Sequence, residues 1–357
     1  MHVAEASWLR HELPLAEAFR ISRGASEVAT VFAVTVEDEA GHRGVGAAAP
    51  SRYHGEPPSA TADALPGVCD AIRGLPVHAL ERARRGMDEA APEAPAARSA
   101  ASGALHDLAA RRADLSLRAL LGLGGLDAPP TSVTVSAGAP DAMAERAAER
   151  VDEGFGTLKL KLGVDDAARE RRALRAVRAA CPDAVLRVDA NGGWSAEGAL
   201  ERLDALADAD VALLEQPVPS DDLAGLERVA DAAAMPVYAD EPVAAQSDVP
   251  RVAPHCDGVV LKLAKHGGVR PTLDALATAR SHGLGVMPGC RVASSAAIAP
   301  AVHLAPLADH VDLDGAVLLD EDPYVGVPLD GDRFRLDAVA RGTGIEAVGG
   351  SGVRDQV

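Results

Sequence analysis

The chain has 357 residues, of which 48% are hydrophobic, and a mean hydropathy of +0.03, so we expect a soluble globular protein with a sizeable core. Its net charge of −18 and pI near 5.0 argue against nucleic acid or anionic membranes as partners, since both require basic surface. The sequence has no signal-like apolar segment near its start and no apolar run of bilayer length. Its four cysteines lack metal-finger spacing and predict reduced thiols, so we expect a cytoplasmic location.

The N-terminal part has the pattern of a few strands followed by helices. Alternation around Val28–Val36 predicts a strand, and Glu37–Gly44 predicts a turn. Helical composition then extends to the stretch HDLAARRADLSLRALLG at residues 106–122. The Pro-rich segment Ala91–Ala97 predicts a loop within this region rather than a linker between domains.

Eight short apolar runs, each of strand length, follow from Ser132 onward. They are SVTVSAG (132–138), TLKLKLG (157–163), VLRVDAN (185–191), VALLEQ (211–216), VYADE (237–241), GVVLKLAK (258–265), GVMPG (285–289) and VDLDG (311–315). Helices are predicted between them at Asp141–Glu153, Asp165–Ala180, Ala196–Ala209 and Pro271–His282, with Ser195 as a plausible N-cap. Eight such units predict an α/β fold, a (β/α)8-type barrel in which the carboxyl ends of the strands meet at one mouth.

Two lysines lie on one face of the second run, because alternation sends Lys159 and Lys161 to one side and the flanking leucines to the other. Neighbouring ammonium groups repel each other, so the pair indicates an anionic neighbour or a lysine that must lose its proton. Two lysines on an exposed strand edge would give the same pattern. Lys262, at the end of the sixth run, predicts a third lysine on the roughly opposite side of the mouth.

Three apolar runs end in a carboxylate, at Asp189, Glu215 and Asp240, which are 26 and 25 positions apart. This spacing equals about one strand, one helix and two connections, so the three side chains would meet at the barrel mouth. Oxygen ligands that leave room for water and substrate suit Mg²⁺. Each acid taken alone could instead be the N-cap of the helix that follows it.

Together these lysines and carboxylates resemble the enolase superfamily, in its muconate lactonizing enzyme subgroup, over most of the chain. The resemblance implies a Mg²⁺-dependent enzyme, with one divalent ion per subunit, that removes a proton next to a carboxylate through an enediolate. It implies Lys161 and Lys262 as acid/bases on opposite faces, Lys159 as the electrostatic neighbour of Lys161, and Asp189, Glu215 and Asp240 as metal ligands. Mutual repulsion, burial and the cation are expected to lower the lysine pKa values.

The eighth run places Asp312 and Asp314 on one strand face, a DxD pattern that resembles the dipeptide epimerases of this subgroup. The resemblance implies that both acids hold the free α-ammonium group of a dipeptide, and converging carboxylates suit a compact cation. The implied reaction converts L,L-dipeptides, Ala-Glu-like or other L-Xaa-L-Xaa substrates, to the L,D form. A cycloisomerase, an N-acylamino acid racemase or an o-succinylbenzoate synthase is the alternative, as is a barrel retained for binding alone. Out of context, the two acids could merely end a strand.

The resemblance also implies a division of the chain into three segments. Residues 1–123 would form an α+β N-terminal capping domain, residues 124–319 the (β/α) barrel, and residues 320–357 a C-terminal segment that packs back on the cap and completes it. A strand is expected at Arg333–Leu336 within the last segment. Two loops, Phe19–Gly24 and Pro50–Glu56, occupy the places of the family loops that close over the barrel mouth.

Two arginines are candidate substrate-binding residues. Arg23, preferred to Arg20 by its position in the first loop, could meet a substrate carboxylate, although arginines that flank a strand are more often solvated. Arg291 stands where related chains often have an apolar residue, and could bind an acidic side chain, the peptide carboxylate or a local acid. The acidic stretch Asp320–Pro323 points instead to a cationic second residue. We expect a small dipeptide as ligand, no nucleic-acid or membrane partner, and a homo-oligomer.

Overall fold

The computed structural model describes residues 1–348. The strands are β1 (Val3–Ile21), β2 (Gly24–Asp38), β3 (Arg43–Ala48), β4 (Val133–Val135), β5 (Thr157–Lys161), β6 (Val185–Asp189), β7 (Val211–Glu215), β8 (Val237–Ala239), β9 (Gly258–Leu261), β10 (Gly285–Pro288), β11 (Tyr324–Val325), β12 (Leu329–Asp330), β13 (Arg333–Phe334) and β14 (Glu346–Ala347). The α-helices are α1 (Pro58–Ile72), α2 (Leu80–Ala90), α3 (Pro95–Arg112), α4 (Leu117–Leu120), α5 (Pro140–Asp152), α6 (Ala167–Ala180), α7 (Ala196–Asp208), α8 (Leu223–Ala232), α9 (Val249–Val252), α10 (Leu263–His266), α11 (Val269–Ser281) and α12 (Ser295–Val302). Short 3₁₀ turns lie at Arg52–His54, Gln246–Asp248, Ala253–His255, Ala305–Leu307 and Leu336–Ala338.

The N-terminal part is an antiparallel sheet, in the order β1-β2-β3, covered by helices. β2 contains the strand predicted at Val28–Val36, and its residues alternate between two buried environments. Phe32 and Val34 pack with the helices α1 and α3, whereas Val31 and Ala33 pack with residues of the C-terminal half of the chain. Burial on both faces explains the continuous apolar run from Val31 to Val34, and it places the sheet between its own helices and the barrel.

β3 lies very close to α3, because a glycine replaces a side chain at the contact. A Cβ atom at Gly46 would overlap backbone atoms of Ala100 and Ala104. We expect Gly46→Ala to lower the free energy of unfolding by about 1–3 kcal/mol, measured by thermal or chemical unfolding. Gly67→Ala on α1 is the matched control, since its Cβ would lie 3.9 Å from Ala90 in ordinary contact and alanine favours helix. Equal melting temperatures of the two variants would contradict this account.

Seven parallel strands form a curled sheet in the order β10-β9-β8-β7-β6-β5-β4, so strands that follow one another in the chain are also neighbours in the sheet. The eighth predicted run lies between the two ends of this sheet. Thr131 pairs with Val311, and Gly289 pairs with Asp312, both in parallel bridges. The predicted (β/α)8-type barrel is therefore confirmed, with its helices on the outside.

The eighth run is less regular than the sequence predicts. Side chains replace part of the backbone ladder there: the N–H of Leu313 donates to Thr131 Oγ1 at 2.9 Å, and the N–H of Thr134 donates to Asp314 Oδ2 at 2.7 Å. These bonds satisfy backbone donors that a regular strand would pair with carbonyls. The segment consequently forms bridges rather than a continuous strand, although it still closes the barrel.

The four predicted barrel helices are confirmed as α5, α6, α7 and α11, each within about two residues of its predicted bounds. Ser195 caps α7 as predicted, since its Oγ accepts the N–H of Gly198 at 3.1 Å. Inside the barrel, a small cluster of buried side chains lies on strands β7 to β10; it consists of Leu213, Tyr238, Val260 and Met287. The interior is thus packed rather than open.

The segment after residue 319 returns to the N-terminal part. The N–H of Asp320 donates to the carbonyl of Pro14 at 3.0 Å, and the N–H of Thr343 donates to Asp107 Oδ1 at 2.6 Å. The strand predicted at 333–336 is found in shorter form as β13. The boundaries at 123 and 319 stay predictions, and residues 349–357 of the predicted C-terminal segment lie outside the described residues. Within the described residues, no helix combines the length and the hydropathy needed to cross a bilayer.

Candidate active site

The two lysines of β5 point into the barrel. Lys159 and Lys161 line a cavity at the mouth, whereas Leu158 and Leu160 pack in the core between the sheet and the outer helices. Both lysine side chains are buried. The alternation predicted from the sequence is confirmed, and the exposed-edge alternative is wrong for this strand.

A cavity of about 140 Å³ occupies the mouth of the barrel. Seven of the ten predicted site residues line it: Arg23, Lys159, Lys161, Lys262, Arg291, Asp312 and Asp314. The other three, Asp189, Glu215 and Asp240, lie directly behind the lysines at the ends of the adjacent strands β6, β7 and β8. The fold therefore brings all ten residues to one place, as strand ends in a barrel must.

Two of the three predicted metal ligands are paired with lysines. Lys161 Nζ donates to Asp189 Oδ2 at 2.5 Å, and Lys262 Nζ donates to Asp240 Oδ2 at 2.6 Å. A further lysine, Lys265, donates to Asp240 Oδ1 at 2.8 Å and to the carbonyl of Val260 at 2.9 Å. We interpret Lys265 as a buried positioning cation, which holds Asp240 from the side away from the cavity.

Glu215 is the exception among these acids. Among residues 1–348, neither oxygen of its fully buried carboxylate has a hydrogen-bond donor, although Lys159 Nζ lies 3.5 Å from Oε2. Burial and the neighbouring Asp189 and Asp240 raise the pKa of Glu215 to about 8. A buried carboxylate without hydrogen bonds is costly, so its presence indicates a site made for a cationic ligand.

The three acids fit a divalent cation in their chemistry more than in their present spacing. Within residues 1–348, no group of three or more acidic, histidine or cysteine side chains converges closely enough to hold one ion as it stands. Asp189 and Asp240 are instead oriented toward lysines, because they form ion pairs with Lys161 and Lys262. The unpartnered oxygens of Glu215, between these two acids in the strand order, nevertheless fit a hard divalent cation, whose preferred ligands are carboxylate oxygens.

Left-handed backbone follows two of the three acids. Asn191 has φ of 46° and Gln216 has φ of 35°, a region that non-glycine residues rarely adopt. Hydrogen bonds compensate for this conformation: the N–H of Asn191 donates to Asp189 Oδ1 at 2.7 Å, and Gln216 Oε1 accepts the N–H of Asp240 at 2.9 Å. These sharp turns hold the carboxylates of neighbouring strands in fixed relative positions.

From the protein groups alone, the pKa values of two of these lysines are shifted upward. Burial lowers the pKa of Lys159, but Asp312 and Glu215 more than reverse this effect and hold it well above its usual range. Burial also lowers the pKa of Lys262, but the negative charge of Asp240 outweighs this effect, so the pKa of Lys262 is raised. The carboxylates contributed by neighbouring strands dominate over repulsion between the lysines.

This pKa direction can be measured directly. With divalent cations removed by a chelator, we expect Lys159 and Lys262 to stay protonated above pH 10.5, the ordinary lysine value. Stability from their ion pairs is then present below pH 10.5 and lost as the pH rises through the raised values. NMR titration of ¹³Cε-labelled lysine, assigned with Lys→Arg variants, tests this, and titration of either group below pH 10 would contradict it.

The two acids of the eighth run have different surroundings. Asp312 accepts from Ser132 Oγ at 2.7 Å and from the Lys159 ammonium, and Asp314 accepts from the N–H of Thr134. Burial opposes ionisation of Asp312, but Lys159 holds its pKa below the usual range. Burial and the charge of Asp312 raise the pKa of Asp314. Both acids face the cavity, and Asp314 is the one without a lysine bound to it.

The β1–β2 hairpin reaches over the mouth. Arg23, at its tip, donates to the carbonyl of Asn191 at 2.8 Å, lies 2.8 Å from Glu241 and stacks over the ring of Tyr53. Tyr53 belongs to the second predicted loop and bonds Ser220 at 2.8 Å. Both loops therefore contact the barrel mouth. The guanidinium of Arg23 already has a carboxylate partner, which the sequence did not predict.

Arg291 and the acidic stretch after residue 319 are separated in space. Arg291 lines the cavity and donates to the carbonyl of Ala49 at 2.6 Å. Asp322 instead caps α12, because its carboxylate accepts the N–H groups of Ser295 and Tyr324. The acidic stretch does not line the cavity, so it gives no reason to expect a cationic substrate side chain there. Arg291 is then the one of these two signals that bears on the charge of the substrate.

Lysine scarcity is a further signal in the sequence, one that the motifs alone do not contain. The chain has 35 lysines and arginines, and only four are lysines: Lys159, Lys161, Lys262 and Lys265. All four lie at this mouth. Arginine supplies every other side-chain cation of this class and cannot release its proton near neutral pH, whereas lysine can. The confinement of lysine to these four positions therefore marks the site, and it would have included Lys265.

Comparison with known proteins identifies the family to which this architecture belongs. Residues 4–122 match the mandelate racemase/muconate lactonizing enzyme N-terminal domain, and residues 142–347 match the enolase C-terminal domain-like family. The chain belongs to the mandelate racemase/muconate lactonizing enzyme family of the enolase superfamily. The resemblance inferred from the lysine and carboxylate motifs is confirmed, and this enolase-superfamily member is similar to isomerases along most of its length.

Three relatives define the similarity. The hydrophobic dipeptide epimerase of Roseobacter litoralis is 36% identical over 327 residues, 90% of this chain and 92% of that protein. The L-Ala-D/L-Glu epimerase of Escherichia coli K12 is 37% identical over 321 residues, 90% of this chain and 94% of that protein. The dipeptide epimerase of Enterococcus faecalis V583, solved with Mg and L-Leu-L-Tyr, superposes with a TM-score of 0.91 at 32% identity, covering 97% of this chain and 99% of that one.

Proposed function

We propose that this protein is a Mg²⁺-dependent dipeptide epimerase that inverts the α-carbon of the second residue and so interconverts L,L- and L,D-dipeptides. The observation that carries the proposal is a pair of lysines on opposite sides of one cavity. Lys161 ends β5 and Lys262 follows β9, and β6, β7 and β8 separate these strands in an eight-unit barrel. Similarity to dipeptide epimerases over nine-tenths of the chain supports the same reaction.

Inversion requires two groups that exchange protons with opposite faces of one carbon. Lys161 would remove the α-proton from one face, and Lys262 would return a proton to the other, with the roles reversed for the reverse reaction. Lys159 stays cationic beside Asp312 and Glu215 and would stabilise negative charge that develops on the substrate. The three lysines thus have two tasks, proton transfer and charge stabilisation.

Asp189, Glu215 and Asp240 would hold Mg²⁺, one ion per subunit. When bound, the ion supplies positive charge to the substrate carboxylate, which makes the neighbouring C–H more acidic. The unpartnered oxygens of Glu215 support this assignment. Lys265 would position Asp240 for this role. Its ammonium is anchored by the carbonyl oxygens of Asp240 and Val260, and its third hydrogen bond holds the Asp240 carboxylate.

Asp312 and Asp314 would bind the α-ammonium group of the dipeptide. Two buried carboxylates on one cavity wall attract a compact cation and repel a dianionic substrate, which supports a dipeptide over a muconate-like cycloisomerase substrate. An N-acylamino acid lacks this charge, so the same acids also argue against the racemase and o-succinylbenzoate synthase alternatives. Arg23 and Arg291 complete the proposed set of substrate-binding residues.

Asp312 and Asp314 together form the proposed ammonium clamp. Loss of one of these two carboxylates is expected to weaken the binding of dipeptides that have a free ammonium group. Asp314→Asn should raise KM for a free L,L-dipeptide by about 10- to 100-fold, because one charge-assisted hydrogen bond to the ammonium is lost. Asp312 is the poorer test, since its removal leaves the buried Lys159 ammonium without its closest partner. Steady-state kinetics with Asp330→Asn, an exposed acid, as control would measure this. An unchanged KM would refute the clamp.

Solvent deuterium exchange tests the whole proposal. Protein with Mg²⁺ would be incubated in D₂O with a mixed library of L,L-dipeptides, together with N-acetyl and N-succinyl amino acids. We expect incorporation of one deuterium into free dipeptides only, with appearance of the L,D product and loss of both signals in chelator. Exchange confined to the N-acyl compounds would favour the racemase alternative. Exchange into no compound would favour a barrel retained for binding.

We also propose a cellular location and an oligomeric state for this protein. All four cysteines are free thiols, which supports a reducing, cytoplasmic environment. We also propose a homo-oligomer, to be tested by light scattering. Neither property affects the chemistry assigned to the lysines.

A further inference from the structure

Arg291 is a charged side chain of the cavity that has no carboxylate partner. Its Nη1 donates to the carbonyl of Ala49. Across residues 1–348, no carboxylate oxygen lies within 4.0 Å of its guanidinium nitrogens. A guanidinium carries five N–H donors, so most of its hydrogen-bonding capacity remains for another partner. Burial lowers the pKa of Arg291 to about 10, and the group is still cationic at neutral pH.

The acids nearest to Arg291 are engaged elsewhere. Glu56 attracts the guanidinium, but its carboxylate accepts from Thr61 Oγ1 at 2.8 Å and from the N–H of Ala96 at 2.8 Å. Asp240 is held by lysines. Arg291 therefore presents to the cavity a guanidinium that no carboxylate of the described residues contacts directly, and an anionic ligand would stabilise such a partly desolvated charge.

Arg291 lies next to the segment that carries the proposed ammonium clamp. The N–H of Gly315 donates to Cys290 Sγ at 3.3 Å, and the N–H of Ala293 donates to the carbonyl of Gly315 at 3.3 Å. A Cβ atom at Gly315 would overlap the carbonyl of Arg291, so the two backbones are in direct contact. The backbone of Arg291 thus adjoins the segment that carries Asp314, and both side chains line the same cavity.

The chemistry of a dipeptide decides which part of it meets Arg291. The side chain of the first residue branches from the carbon that bears the ammonium group. Binding of the ammonium by Asp312 and Asp314 therefore brings the start of that side chain beside Arg291. The α-carbon of the second residue lies one peptide unit farther from the ammonium group, where Lys161 and Lys262 must reach it.

We propose that Arg291 binds a carboxylate on the side chain of the first residue, which makes this protein selective for L-Asp-Xaa or L-Glu-Xaa dipeptides. The inference rests on the proposed function and deepens it by naming the substrate class. A bidentate guanidinium–carboxylate pair provides both the charge and the geometry for this selection. Neutral side chains of the same shape would leave the guanidinium unpaired and are disfavoured.

The test compares isosteric substrates. Initial rates of α-carbon inversion would be measured for L-Glu-L-Ala, L-Gln-L-Ala and L-Ala-L-Glu with the wild-type enzyme and Mg²⁺. We expect kcat/KM for L-Glu-L-Ala to exceed that for L-Gln-L-Ala by about 10- to 100-fold. We also expect L-Glu-L-Ala to exceed L-Ala-L-Glu, because the charge is then on the residue that faces Arg291.

Variants assign the selectivity to this residue. Arg291→Met should bring the Glu to Gln ratio close to one, and Arg291→Lys should retain part of it, since lysine keeps the charge without the planar fork. Arg270→Met, an exposed arginine of α11 paired with Asp274, is the matched control and should retain the full ratio. The ratio within one variant is independent of any general loss of activity.

The outcomes separate this inference from the function on which it rests. Equal rates for L-Glu-L-Ala and L-Gln-L-Ala in the wild-type enzyme would overturn the inference and leave the epimerase proposal standing. Persistence of the preference in Arg291→Met would also overturn the inference and leave the epimerase proposal standing. Arg291 would then have only a structural role, through its hydrogen bond to the carbonyl of Ala49. Failure to invert any dipeptide would overturn both proposals.

Discussion

Replacement of either Lys161 or Lys262 with alanine is expected to lower kcat for epimerization by at least about 1,000-fold. Each lysine serves one face of the α-carbon, and an inversion needs both faces in every turnover. Of the other two lysines, Lys265 is absent from the cavity lining, and Lys159 is held between Asp312 and Glu215 as a fixed cation.

The two variants should differ in deuterium exchange. The lysine that remains can still remove a proton from the stereoisomer that faces it and return deuterium to the same face. We therefore expect one variant to exchange the L,L form alone and the other to exchange the L,D form alone, without inversion. Mass spectrometry together with chiral chromatography would separate exchange from inversion.

Lys→Arg substitutions at the same positions are the matched controls. Arginine keeps the positive charge beside Asp189 or Asp240 but cannot act as a base near neutral pH. If the lysines act only through charge, the arginine variants should retain turnover. If they transfer protons, the arginine and alanine variants should be equally inactive. Full turnover by Lys161→Ala or Lys262→Ala would refute the two-base mechanism.

Glu215→Gln is expected to abolish activity and to stabilise the protein in chelator. Loss of a metal ligand should reduce kcat/KM by at least about 100-fold, in line with loss of a major electrostatic group. The stability effect has the opposite sign, because glutamine removes a buried carboxylate that has no hydrogen-bond donor. Few substitutions at an active site combine these two effects, so the pair of results is diagnostic.

The pH dependence follows from the sign of the pKa shift. The pKa of Glu215 rises from 4.5 to about 8, chiefly through burial. The folded state therefore holds a proton that the unfolded state releases, and this contribution to stability is full below pH 4.5 and is lost as the pH rises to about 8. The variant should lack this loss, which is on the order of a few kcal/mol.

Thermal unfolding in chelator from pH 5 to pH 9 would measure the effect. The melting temperature of Glu215→Gln should exceed that of the wild type near pH 9 and approach it near pH 5. Glu201→Gln, an exposed glutamate of α7, is the control and should follow the wild type throughout. Addition of Mg²⁺ should stabilise the wild type and leave Glu215→Gln unchanged. A less stable Glu215→Gln variant at pH 9 would contradict the assignment.

The sequence predicted the core of the site because its signals are local and periodic. Alternation of period two places Lys159 and Lys161 on one face whatever their surroundings, and one βα unit per acid brings Asp189, Glu215 and Asp240 to the same mouth. The family similarity confirms the superfamily that these motifs indicated, and the roles of the individual residues stay predictions.

Predictions about protonation and pairing were weaker, because they depend on contacts between distant segments. The raised pKa of Lys159 comes from Asp312, 153 positions away, and no periodic signal indicates that pair. The carboxylate partner of Arg23 and the absence of one for Arg291 in the described part of the chain have the same origin. Lysine scarcity, by contrast, is visible in composition and would have marked Lys265.

The amino-acid sequence alone therefore determined the barrel, its lysines, its carboxylates and the expected reaction class, since each follows from the period of strands and of βα units. Only the tertiary structure decided which carboxylate holds which ammonium, which acid lacks a hydrogen-bond donor among the described residues, and that Arg291 faces the cavity with none of their carboxylates in contact. The reason is physical: electrostatic energies depend on distances of a few ångströms between strands, which strand order fixes only approximately.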